Sequence, residues 1–178
     1  MDPKAYKQIW DETFEARLST TRYRSLGNKH PIIAKMLSDD ARGSDPAVNP
    51  LHFLHRPKFR NPIRLRRLRI LNTLLWALKG EGFALIPDRD DSNIVVGHGC
   101  DRTKFMMSEE GTAPMRATTP GRTKLTGRLR CHIEAKLPTG IQRHWADELG
   151  DALETQIPNI LASFAVWAEH QKHQTRYL

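Results

Sequence analysis

Apolar positions recur along the chain with two different periods, and the change of period divides it into helical and extended parts. Tyr6, Trp10, Phe14 and Leu18 are spaced by four, which makes one stripe of a helix over residues 2–18. Asp2 can cap that helix, and Pro3 suits its first turn, where a missing N–H is no loss. A second, short helix is predicted to start at Pro31 and to carry Ile32, Ile33, Met36 and Leu37. Residues 41–61 hold Pro46, Pro50 and Pro57 with Gly43 and Ser44 and keep no period. They read as a strap that Phe53, Leu54 and Phe59 pin to the core. Asn61 and Pro62 open a third helix, residues 62–80, in which Leu68, Leu71, Leu74, Leu75 and Leu78 form an apolar arc widened by Ile70. Gly80 and Gly82 end it.

After Gly82 the period falls to two. Short β-like runs at 83–87, 93–98 and 103–107 are separated by the turns DRDDS and GCDR, and a loop rich in Gly, Pro and Thr follows. The segment TGRLRCHIEAKL (126–137) alternates most strictly. Leu129, Cys131, Ile133, Ala135 and Leu137 fall on one face, and Arg128, Arg130, His132, Glu134 and Lys136 on the other. From Gln142 to His173 a helical stripe returns through Trp145, Leu149, Leu153, Ile157, Ile160, Leu161, Phe164 and Trp167, with Pro158 expected to kink or split it. The pattern predicts an α+β fold: an antiparallel four-stranded sheet packed by an Arg-rich helix and a long C-terminal helix. Residues 1–40 form an N-terminal helical arm, 41–61 a Pro-rich linker and 62–178 the core domain.

Composition narrows the setting. A chain of 178 residues with 39% hydrophobic content can bury one ordinary core and is too apolar to be disordered throughout. The longest apolar run, Leu74–Leu78, is far too short for a membrane span, and the first dozen residues carry acids and lack the apolar stretch of a secretion signal. Two cysteines imply no disulfide framework. A bacterial-type cytoplasmic protein with no membrane partner is expected.

Charge adds the functional question. The net charge is +8, and residues 51–80 hold eight Lys and Arg with no acid. At 100° per residue, Arg67 falls inside the leucine arc and should be largely buried beside a carboxylate or carbonyl, with Arg64 at the edge of the arc. Arg66 and Arg69 point outward beside Thr73. With Lys58 and Arg60 they can form a cationic patch at a helix N-terminus, where backbone amides also favour phosphate. A second basic block, Arg116, Arg122, Lys124, Arg128 and Arg130, occupies the loop and the polar face of the 126–137 strand. The rival to phosphate binding is internal neutralisation by residues 88–91, by Glu109–Glu110 or by Asp147–Glu148. Aromatics do not interleave with these cations, so contacts to a nucleic-acid backbone are expected rather than base stacking.

Three stretches, RRLRILNTLLWALKGEGFAL (66–85), TGRLRCHIE (126–134) and RHWADELGDALETQI (143–157) with the helix after it, carry a resemblance that HPII (30–33) extends. Together they resemble the C-terminal α+β domain of a group of uncharacterised bacterial proteins, over roughly two thirds of the chain. Longer members of that group carry an N-terminal segment resembling a helix-turn-helix, whose opening is similar to AYKQIWDETF through Tyr6 and Trp10. The resemblance implies the core fold and supplies no activity.

Enzymatic signatures are sparse. Glu134-Ala135-Lys136, with Asp88 upstream, has the form of a metal-dependent nuclease motif, in which Asp and Glu hold a metal and Lys steadies the attacking water. Chance alternation on an exposed strand produces the same string. Cys131 and His132 are adjacent strand residues that face opposite sides, so with His98 and Cys100 they make no natural metal site, and His170 and His173 offer only two ligands. No metal or other cofactor is expected. The leading reading is a non-enzymatic nucleic-acid-associated accessory or regulatory protein that meets DNA, more than RNA, through Lys58, Arg60, Arg66, Arg69, Arg122, Lys124, Arg128 and Arg130. The alternatives are a module that docks an acidic protein or a second copy of itself, and the nuclease.

Overall fold

Cap chemistry sets the central helix where the sequence places it. The Asn61 side chain accepts a hydrogen bond from the Ile63 amide at 2.8 Å and Pro62 fills the first turn, so helix α3 spans Pro62–Gly80. The computed structural model describes residues 2–20, 25–54, 57–88, 93–112 and 124–175. Helices α1 (Pro3–Thr20) and α2 (Pro31–Gly43) precede two 3-10 turns, His52–Leu54 and Lys58–Arg60, and then α3. Strands β1 (Ala84–Pro87), β2 (Asn93–His98), β3 (Asp101–Thr112), β4 (Lys124–Ile133) and β5 (His144–Ala146) lead to helix α4 (Ile157–Thr175).

The fold is α+β, and its sheet is an antiparallel meander of five strands in chain order rather than four. The fifth, β5, lies in what the sequence pattern presents as helix. Trp145 is buried as expected, but as an inward-facing strand residue. Leu149, four residues on, is 96% exposed. Between Leu149 and α4 the chain turns through Gly150 at φ +87°, a backbone conformation no helix contains. Pro158 therefore does not kink a long helix. It stands in the first turn of α4, where its missing N–H is tolerated.

Inward residues of the strands meet α3 and α4. Leu129, Cys131 and Ile133 are buried with Ile94, Val96, Phe105 and Met107 against the leucines of α3 and against Ile160, Phe164 and Trp167 of α4. Ala135 and Leu137 lie beyond the end of β4 and are only partly buried. Alpha-helix α3 is shut in on nearly every side, since Asn72 and Thr73 are buried as well. The Asn72 side chain explains the first of these. It accepts from the His30 amide at 2.8 Å and donates to the carbonyls of Ser25 (3.2 Å) and Asn28 (3.0 Å), so one buried amide fixes the approach to α2. Ile32, Ile33 and Met36 of α2, together with Phe59, belong to the same core. The core thus reaches back into the residues the pattern assigns to an arm and a linker.

Alpha-helix α1 lies along α4, with Tyr6 buried and its hydroxyl 2.9 Å from His170 Nδ1. Its stripe thins outward: Trp10 stacks on Phe14 and both are partly exposed, and Leu18 is exposed. No helix among the described residues is long and apolar enough to cross a membrane. Because Ile133 is fully enclosed between sheet and helices, Ile133→Ala should cost about 2–4 kcal/mol of stability, read by chemical denaturation with an unchanged m-value. A loss below about 1 kcal/mol would contradict the packing described.

Candidate functional site

The two basic blocks meet different fates. Arg66 turns toward two carboxylates of the segment between β5 and α4. Its Nη1 and Nη2 donate to the two oxygens of Asp147 at 2.6 and 2.7 Å, and its Nε and Nη2 donate to Glu154 at 2.7 and 2.5 Å. Asp147 also accepts the backbone amides of Leu129 (2.8 Å) and Leu153 (2.9 Å). Burial alone would raise the Asp147 carboxyl. The hydrogen bonds from Arg66 and the two amides outweigh it and hold the group down at about 2. Glu154 is lowered chiefly by its hydrogen bonds from Arg66, and the guanidinium is correspondingly raised. Arg66 is thus neutralised within the fold, by Asp147 as the rival expectation had it and by Glu154 in addition, and it is withdrawn from the phosphate footprint.

The remaining cations of this block stand on α3 and the turn before it, and Arg128 and Arg130 stand on the sheet. Arg69 is exposed on the solvent stripe of α3, across the helix from the leucines that face the sheet, while Thr73 beside it is buried. Arg60 and Arg64 are exposed at the start of α3. The backbone amide of Lys58, like that of Phe59, is held by the Asp40 carboxylate at 2.9 and 3.2 Å. Arg67 is partly buried on the core side of α3, less enclosed than the helical angle implies.

Arg128 and Arg130 emerge from β4 on the opposite face of the sheet from the helices, as the alternation predicts. Arg130 donates from Nε to Ser108 Oγ at 3.3 Å, and neither arginine makes an ion pair among the described residues. Residue 122 lies outside the described residues, with 116 and 89–91, and the backbone of Lys124 opens β4. Gly127, at φ +78°, sits beside the irregularity between Glu109 and Gly111, and a side chain there would meet Ile63. The root of the basic hairpin therefore touches the first turn of α3.

A groove of about 620 Å³ runs along this outer face. Register builds it: Met106 pairs with His132, which pairs with His144, and Ser108 pairs with Arg130, which pairs with Ala146. The His132 and His144 rings stack with centroids 5.4 Å apart and planes 21° from parallel. Gln142 donates to the His144 carbonyl at 2.8 Å and, with Glu148, closes the rim. Burial, then Arg143, then His132 push the His144 imidazole below its ordinary value. Sequence reading placed His132 on this face but missed His144, because a residue read as helical has no cross-strand partner. The signal available was Gly150, which weakens a helix there by about 1 kcal/mol relative to alanine.

The other sequence-level sites are dispersed. Asp88 is bound by Lys104 at 3.1 Å, and two strands, β2 and β3, separate it from Glu134. The nuclease motif is not assembled. Cys131 is buried, and burial raises its thiol, whereas His132 faces outward. His98 packs on Phe83, His170 is held by Tyr6, and His173 contacts Glu169 at 3.3 Å. No protein-family model, curated protein or solved structure matches the chain.

The Arg66 cluster generates a stability prediction. Asp147 has a folded value below its unfolded one, so its contribution is present above the unfolded value and is lost as pH falls through the folded one. About 2 kcal/mol should disappear between about pH 4 and pH 2. Arg66→Ala should cost roughly 2–4 kcal/mol at pH 7, less than for a fully buried pair because a quarter of the guanidinium is exposed. It should also flatten the acid dependence. Parallel acid profiles for the parent and the variant would remove the cluster from its role.

Proposed function

We propose that the protein is a non-enzymatic nucleic-acid-associated accessory factor and that its backbone-contacting surface is the outer face of the sheet, not the N-terminal half of α3. The supporting observation is the row of outward cations on β3 and β4. Arg128 and Arg130 project there without ion-pair partners among the described residues, Arg130 lining an open groove, and Arg102 stands further along β3, whereas Arg66 is already neutralised. Lys104 on the same face is matched by Asp88. Such a surface binds phosphates by charge and positions a duplex without reading its sequence. DNA is the proposed partner ahead of RNA.

A second reading, a module that docks another protein or a second copy of itself, has an observation of its own. Phe53 and Leu54, at 69% and 68% exposed, stand out on the strap with Val48 and Leu51. Phe53 and Leu54 are expected from the sequence to pin the strap to the core, and they do not. Phe59 alone does so.

Affinity for a DNA duplex measured across a range of salt separates the readings. Arg128→Ala/Arg130→Ala should flatten the slope of log affinity against log salt by about two, nearly independently of DNA sequence, and Arg69→Ala should leave it unchanged. If the parent does not bind at low salt, or if only Arg69→Ala changes the slope, the sheet face is not the interface. Self-association abolished by Phe53→Ser/Leu54→Ser would favour the second reading.

A further inference from the structure

Solvent-facing strand positions carry no packing requirement for imidazole, yet β4 and β5 bring two of them into register on one face. Each is cheap to replace, and neither fills the core. Three of the side chains around them, Ser108, Arg130 and Gln142, carry hydrogen-bond donors. Arg130 uses Nε on Ser108, its terminal nitrogens have no partner among the described residues, and Gln142 donates to the His144 carbonyl on the other side. We infer that His132, His144 and Arg130 form a subsite for a single phosphate group on the outer face of the sheet. The inference deepens the nucleic-acid reading and rests on it for the polymer to which that phosphate belongs. A free nucleotide presents the same chemistry, and a groove of about 620 Å³ has room for one.

Charges around the pair favour an anion. From β4 comes Arg130, and from the chain beside β5 comes Arg143. Strand β3 contributes the neutral Met106 and Ser108, and the rim contributes one carboxylate, Glu148. With no bound anion, burial, then Arg143, then the stacked His132 ring disfavour protonation of His144. An arriving phosphate supplies the missing counter-charge and favours the protonated form of His144. Affinity for phosphate must then strengthen as pH falls through the imidazole range, by up to about tenfold per pH unit for each proton taken up.

The test is an NMR titration of the imidazole resonances of the full chain with inorganic phosphate, adenosine monophosphate and adenosine, at pH 6 and pH 8. His132 and His144 should respond to both phosphates and not to adenosine. Affinity for adenosine monophosphate should be at least about tenfold higher at pH 6. Arg130→Gln and His144→Gln, both exposed positions, should each weaken it by about tenfold or more while the remaining spectrum stays native. Silent imidazoles at pH 6, an equal response to adenosine, or undiminished binding in both variants would overturn the subsite. Its failure is distinguishable from failure of the wider reading. Phosphate on the histidines with no salt-dependent duplex binding keeps the subsite and removes the nucleic acid, and duplex binding with silent imidazoles does the reverse.

Discussion

A guanidinium shared between two carboxylates holds the layers of this molecule in place. Arg66 comes from α3, Asp147 and Glu154 come from the segment that follows the last strand, and Asp147 also grips the β4 backbone at Leu129. One cluster therefore joins the central helix, the sheet and the approach to α4. Its strength lies less in Coulomb attraction than in what removal of any member would strand: a largely buried charge without its partner. The cluster also resolves a conflict in the sequence. Cations crowd the first turns of α3, the positive end of its dipole, and the acids of a distant segment supply the negative charge that end requires.

With Arg66 turned inward, the sheet separates two electrostatic environments. Its inner face is apolar and closed by α3 and α4, and its outer face keeps the arginines and histidines that alternation assigns to it. The same period-2 geometry that buries Leu129, Cys131 and Ile133 exposes Arg128, Arg130 and His132. Core and candidate interface are thus one decision about register, and a slip by one residue would exchange them.

Features that depend on local chemistry were legible in the sequence. The limits of α3 followed from Asn61, Pro62 and the closing glycines, and the inward face of β4 followed from strict alternation. Features that depend on distant partners were not. A three-residue edge strand has too little period to announce itself, and Trp145, Leu149 and Leu153 imitate a helical stripe that only Gly150 contradicts. The groove was hidden for the same reason, since His144 gains its neighbour only once β5 is a strand. Charge runs named Asp147 among several possible partners for Arg66 but could not choose between them, because helix angle says which way an arginine points and not what waits there. Thr73 shows the limit of that angle: it reads as outward-facing beside Arg66 and Arg69, and it is buried.

The meander has a consequence for how the chain assembles. Every strand pairs with its neighbour in sequence, so each pairing closes a short loop and the sheet can grow one strand at a time. The contact of α1 with α4 is the opposite case, since Tyr6 and His170 are 164 residues apart. That contact closes a loop spanning most of the chain, and among the described residues α1 contributes only Tyr6 to the buried set. On loop-closure grounds α1 is expected to dock last and to open first, above a sheet whose pairings do not involve it.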